Sequence, residues 1–180
     1  IDVTVPAAAA LLASDGLRDK VGLSLDPATT RGAVTATINI DFPIGKDIPA
    51  EDFTYAIAAD VTNFGADKLV LGQKIEATAL KANATSDGYQ ISGDVRINGT
   101  PASVKVVRKK GDPDAEVHVA AKLDEAARRR FGFDVGSAVT GTIPIRMTAR
   151  AGSDVTDERM AVDADLTPVK IDNLFPGWEK

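Results

Sequence analysis

The chain has 180 residues, 44% hydrophobic and 26% charged, with no Cys, a single His and a formal net charge of −5. That length suits one ordinary domain, or a piece of a longer array, with a sizeable core. The acidic balance argues against nucleic-acid binding, the lack of a long apolar run against a membrane-crossing helix, and the lack of Cys against disulfides, thiolate zinc sites and a Cys nucleophile. The first residue, Ile1, carries no Met and no secretory leader pattern, so the sequence is expected to be a processed or excised segment.

In chain order, Pro6 to Ala13 reads as a short helix, with Pro in its first turn and Gly16 past its end. Period-two alternation then dominates, the mark of strands with one buried face. Val34, Ala36, Ile38, Ile40 and Phe42 alternate with Thr35, Thr37, Asn39 and Asp41. Phe53, Tyr55, Ile57, Ala59 and Val61 form the next stripe, and a weaker one runs through Ile75, Ala77 and Ala79. Tyr89 to Ile97 sets its apolar residues against Gln90, Ser92, Asp94 and Arg96. Val104 and Val106, then Val117, Val119, Ala121 and Leu123, continue the pattern.

Asp124 to Phe131 predicts a second short helix, with Asp124 as its cap, Arg128 to Arg130 at its carboxyl end and Gly132 as its stop. Val139 to Met147 and Met160 to Leu166 complete about eight strands, expected to be antiparallel. Turns are expected at Ser86-Asp87-Gly88, Lys110-Gly111-Asp112-Pro113 and Arg150-Ala151-Gly152-Ser153.

Shifting the chain by 105 residues lays Ala33–Gly72 on Ala138–Gly177 without a gap, with 14 of 40 positions identical. Val34-Thr35-Ala36-Thr37-Ile38 falls on Val139-Thr140-Gly141-Thr142-Ile143, and Asp67, Leu69 and Gly72 fall on Asp172, Leu174 and Gly177. This predicts a tandem module: residues 1–122 as a first copy, a helix with about six strands, and 123–180 as the start of a second.

Catalytic chemistry is hard to assemble, and the chain reads as a non-enzyme without a cofactor or metal. His118 is the sole imidazole and falls on the polar side of its strand. There is no nucleophile elbow, phosphate-cradling Gly loop or His-based metal motif. Asp112, Asp114 and Glu116 cluster around Pro113, and Asp154, Asp157 and Glu158 form a similar group; both read as solvated connections rather than calcium loops. Arg128, Arg129 and Arg130 read as helix-dipole partners in contact with solvent.

The apolar stripe fits two arrangements. Two sheets pressed face to face would bury it with no ligand. One curved sheet would leave an apolar face needing a greasy occupant. Many stripe positions are Ala or Gly and Trp178 is the single Trp, which leans toward an unfilled groove.

Several phrases resemble the central region of the AsmA-like envelope proteins, the YhdP–TamB type. They are the Gly32-Ala33-Val34-Thr35-Ala36-Thr37-Ile38 strand, the Asp41-Phe42-Pro43 turn, Phe53 to Asn63, Gly88 to Ala102 and Ala164 to Trp178. The likeness spans most of the chain, through structural motifs; 22–32 and 46–52 match nothing in it. It implies a mainly β fold, a curved antiparallel sheet forming a gutter. It also implies a periplasmic location, as part of a protein anchored in the inner membrane. The implied activity is carriage of phospholipid between inner and outer membranes, with no catalytic residue. On that reading Phe42, Phe53, Tyr55, Ile57, Tyr89, Ile91, Ile97, Val119, Ile143, Ile145, Met147 and Met160 face the acyl chains. Thr35, Thr37, Asp60, Arg96, His118 and Arg146 face water. The alternative is a non-conducting scaffold or outer-membrane assembly factor working through edge strands.

Overall fold

A computed structural model describes residues 1–14, 17, 21, 25–43, 54–70, 72–133, 139–151 and 160–171. The elements begin with β1 (Asp2–Thr4), α1 (Val5–Leu12), β2 (Thr30–Asp41), β3 (Thr54–Val70), β4 (Gln73–Thr85), β5 (Gly88–Ile97) and β6 (Thr100–Lys109). They continue with β7 (Ala115–Leu123), α2 (Glu125–Arg130), β8 (Val139–Thr140), β9 (Ile143–Ala151), β10 (Met160–Ala164) and β11 (Lys170–Ile171). Nine strands form one open antiparallel sheet in the order β1-β2-β3-β4-β5-β6-β7-β9-β10, while β8 and β11 make a separate two-stranded ribbon. The sheet is a curved meander that does not close into a barrel. It also crosses residue 122 without interruption, because β7 pairs with β9 from Ala115↔Ala151 to Leu123↔Ile143.

Both helices start where the sequence places an oxygen ahead of an orphan amide. Thr4 caps α1, its Oγ1 accepting from Ala7 N at 3.3 Å. Asp124 caps α2, its carboxylate accepting from Ala127 N at 2.7 Å. At the far end of α2, Gly132 (φ 80°) donates to Arg129 O at 3.0 Å and Phe133 donates to Arg128 O at 2.9 Å. That pair of bonds satisfies the last carbonyls around a left-handed residue. Gly16 lies outside the described residues.

Two-residue turns fix the register of the meander. Asn98 (φ 48°) and Gly99 (φ 78°) join β5 to β6, the positive-φ pair that matches strand twist. Ser86-Asp87 joins β4 to β5 as expected, with Thr85 opposite Gly88.

The structure corrects the sequence reading in five places. β3 is 17 residues long and β4 13, and both carry an extra residue midway, at Asn63 (φ 51°) and Thr78. A bulge advances the strand by one side chain, so Ala79 turns to the polar side and Leu80 replaces it on the apolar side. The strand expected from Val139 to Met147 breaks at Gly141 (φ 102°), leaving β8 and β9. Arg150 and Ala151 belong to β9, paired with Glu116 and Ala115, and not to a turn. Glu116 accordingly sits in β7, after the connection that holds Asp112 and Asp114. Lastly, β10 ends at Ala164, so Leu166 follows the strand.

The two segments related by the 105-residue shift both place two neighbouring strands after a helix. Their registers differ: Ile40 faces Tyr55, whereas Ile145 faces Ala164 and Met160 faces Ala149.

Candidate functional site

Cross-strand partners in a sheet point to the same side, so strand pairing assigns the paired residues to one face or the other. One row reads Val34–Val61–Leu80–Gly93–Val104–Val119–Met147–Val162 across eight consecutive strands. A second reads Ile38–Ile57–Ala84–Tyr89–Arg108. The first row carries one apolar side across all eight strands, and the second extends it toward the strand ends until Arg108.

Of the residues expected to line it, Tyr55, Ile57, Tyr89, Ile91, Ile97, Val119, Ile143, Ile145, Met147 and Met160 all fall on this face by register. Phe42 follows β2 in the same alternation and is exposed. Phe53 lies outside the described residues, as does Trp178. Thr35, Thr37, Asp60, Arg96, His118 and Arg146 occupy the opposite, polar face. Reading by alternation missed Phe64 and Leu80 because they follow bulges, while Val95, on the apolar side of its expected strand, was not counted among the lining residues.

Burial along this face is graded. At the centre, Ala77, Leu80, Val95, Ala102 and Val119 form a buried cluster, with Phe64, Ile97 and Met147 half-buried against it. Gly93 lets Leu80 lie over the strand, since a Cβ there would stand 2.8 Å from Leu80 Cδ2 and from Ala79 O. The flanks are open: Ile40 is 59% exposed, Tyr55 43%, Met160 52% and Val162 53%. Among the described residues no second layer of strands packs across the face. The chain exposes 12204 Å² for a mass of 18.8 kDa, against roughly 8,300 Å² for a compact monomer of that size. A single-layered sheet contributes to that excess because, among the described residues, no second layer of strands seals either face.

The two ends of the strands differ. Both helices attach at one rim, where Thr4 pairs with Ala33 and Leu123 with Ile143. There Val5 and Ala9 of α1 and Ala127 of α2 are buried, and Arg130 reaches the buried Thr100 hydroxyl at 3.1 Å. The other rim carries Phe42, Tyr55, Tyr89, Arg108 and Met160. Here Tyr89 is half-buried and its hydroxyl donates to Val21 O at 2.9 Å. Burial pushes this phenol up to about 12, with the Arg108 charge pulling the other way. The hydroxyl therefore remains a donor at every physiological pH.

Arg128 overturns its expected role. It is 3% exposed, not a solvent contact. Its guanidinium donates to Leu123 O at 3.2 Å, Gly141 O at 2.8 Å and Val139 O at 2.8 Å, tying α2 to the break between β8 and β9. Arg129 behaves as expected, pairing with Glu125 one turn earlier on the exposed side.

The polar face carries paired charges. Glu76 accepts from Arg31 at 2.6 Å and from Lys74 at 3.0 Å. The Lys74 hydrogen bond, aided by the Lys74 and Arg31 charges, holds the Glu76 carboxyl below its ordinary range. A depression of about 480 Å³ lies mainly on this side, lined by Ser92, Lys105, His118, Arg146 and Asp163 among others. Within it His118 stands 3.5 Å from Glu116 Oε1 and 3.4 Å from Thr148 Oγ1. Among the described residues no group of three or more His, Asp or Glu is placed to hold a metal ion, and no helix is long and apolar enough to cross a membrane.

No family model, curated protein or solved structure matches the chain.

Proposed function

We propose that this chain is a segment of a bridge-like lipid carrier, its apolar face holding phospholipid acyl chains on their way between two membranes. The observation that carries the reading is an apolar face running unbroken through β1–β7, β9 and β10, with its flanks left in water. Each methylene of an acyl chain loses about 0.8 kcal/mol on meeting water, and a continuous apolar surface offsets that loss along the route. In the envelope proteins that the sequence resembles, such a route would cross the periplasm from inner to outer membrane. The exposed edge strand β10 favours a second reading, in which the chain recruits a client strand and conducts nothing.

Neighbouring residues on opposite faces separate the two readings. The purified chain is stripped of lipid and titrated with a phospholipid bearing a fluorescent acyl chain. Ile91→Asp is expected to weaken binding at least about tenfold, while Ser92→Asp stays within about twofold of the parent. Equal effects of the two substitutions, or no binding by the parent chain, would overturn the lipid-carrier reading. Capture of an extended barrel-strand peptide by a chain that takes no lipid would support the scaffold instead.

A further inference from the structure

We propose that the depression on the polar face, centred on Ala120, binds a soluble sugar phosphate. The phosphate sits between Lys105 and Arg146, and the hydroxyls face Asp94 and Asp163. The site lies on the side of the sheet turned away from the apolar face and is independent of what that face carries.

The lining residues come in runs of three, Ser92–Asp94, Ser103–Lys105, His118–Ala120 and Arg146–Thr148, together with Asp163. In each run the outer two side chains belong to the polar face and the middle one points away, so the backbone of four neighbouring strands forms the floor. Two polar rows stand on that floor. One is Ser92–Lys105–His118–Thr148, the other Asp94–Ser103–Ala120–Arg146–Asp163. Ala120 has the smallest side chain of either row and leaves space at the middle of the second.

Lys105 and Arg146 are exposed, and among the described residues neither has an ion pair or a side-chain hydrogen bond. By contrast, Arg31 and Lys74 are met by Glu76, and Lys81 by Asp60. A strand spacing of about 4.8 Å and a rise of about 3.4 Å per residue put the Lys105 and Arg146 Cα atoms roughly 12 Å apart, on either side of Ala120. Two long side chains close that gap onto one phosphate, the ammonium as a point charge and the guanidinium through its planar fork. The Ser103 hydroxyl, directly opposite Ala120, adds a third donor. His118 is already engaged by Glu116 and Thr148, so it walls the site and does not bind.

The carboxylates decide the rest of the ligand. Asp94 and Asp163 end the second row, each two strands from Ala120 and therefore roughly 9.6 Å from it. Neither has a partner among the described residues, although Asp163 stands opposite Arg146. Cations at the middle and acceptors at the ends suit a ligand with its charge in one place and hydroxyl donors several ångströms away. A hexose phosphate has that layout, whereas a larger polyanion would be repelled by the outer carboxylates. The depression, about 480 Å³, has the volume of a small-molecule site.

Calorimetric titration of the parent chain and of single variants with glucose 6-phosphate, glucose and inorganic phosphate tests this. The parent is expected to bind glucose 6-phosphate at least about tenfold more tightly than glucose or inorganic phosphate. Arg146→Gln weakens glucose 6-phosphate about tenfold, the loss of one charge-assisted contact. Lys105→Gln, on a different strand, gives the same loss and guards against a folding defect in either. Arg150→Gln, at an exposed arginine on the strand and face of Arg146 but outside the depression, stays within about twofold of the parent. Asp163→Asn narrows the preference over inorganic phosphate to below about threefold. Equal weakening by Arg146→Gln and Arg150→Gln overturns the site, showing attraction by overall charge. So does inorganic phosphate binding as tightly as glucose 6-phosphate, or tighter binding after Asp163→Asn, since either leaves the hydroxyls without a role. A parent chain that binds none of the three overturns the site outright and leaves the carrier reading untouched.

Discussion

The guanidinium of Arg128 donates to the carbonyl oxygen of Gly141 across 2.8 Å, deep enough that Arg128 is 3% exposed. The same group serves Val139 O and Leu123 O, so one side chain fixes the helix end, the strand break and the end of β7. Truncation to Ala would leave three carbonyls without this donor and open a void. Arg128→Ala is expected to lower unfolding free energy by about 2–4 kcal/mol in urea titrations, and Arg128→Lys to recover less than half. A loss within about 0.5 kcal/mol would mean that this junction contributes little to the fold.

At the centre of the apolar face, Gly93 leaves room for the Leu80 side chain on the neighbouring strand. A Cβ at 93 would meet both the Leu80 methyl and the Ala79 carbonyl oxygen at 2.8 Å. The backbone oxygen cannot swing away, so Gly93→Val is expected to cost about 1–3 kcal/mol. Thermal melting monitored by far-UV circular dichroism would register the change.

Exposure separates residues that hold the fold from those free to serve a ligand. Ile40 is 59% exposed and Leu80 8%. Ile40→Asp should leave stability within about 0.5 kcal/mol while weakening acyl-chain binding several-fold, whereas Leu80→Asp should cost upwards of about 4 kcal/mol. If Ile40→Asp binds the fluorescent phospholipid as well as the parent, the β2–β3 flank takes no part in binding.

Alkaline stability reports on Tyr89. Its hydroxyl is pushed up to about 12 by burial, with Arg108 opposing; in the unfolded chain a tyrosine titrates near about 10. The folded chain thus holds this proton more tightly. The contribution is complete below pH about 10 and is lost as pH rises from about 10 toward about 12. Urea midpoints at pH 9 and pH 11.5 should fall further apart in the parent than in Tyr89→Phe. Lysine titration affects both proteins alike, so an equal fall would show that the phenol is not shielded.

Much of the candidate face could be read from the sequence, since strict alternation in Tyr89–Ile97 and Val117–Leu123 leaves each side chain one choice of side once the chain is extended. The reading slipped where alternation was interrupted. Phe64 and Leu80 could not be placed, because an inserted residue shifts phase without leaving a compositional mark. Arg108 shares the apolar face two residues beyond Val106, a place that an apolar stripe does not mark because the residue is charged. Arg128 was misread because a helix-terminal arginine looks the same whether its partners are water or distant carbonyls.

Local chemistry therefore determined the strands, the capped helices, the Asn98-Gly99 turn and the two-faced pattern, since each depends on residues a few positions apart. Tertiary structure alone decided that nine strands make a single open sheet, which rim the helices occupy, and which apolar residues are buried. Those outcomes depend on pairing between residues tens of positions apart, and a period-two stripe is equally satisfied by a second sheet or by none.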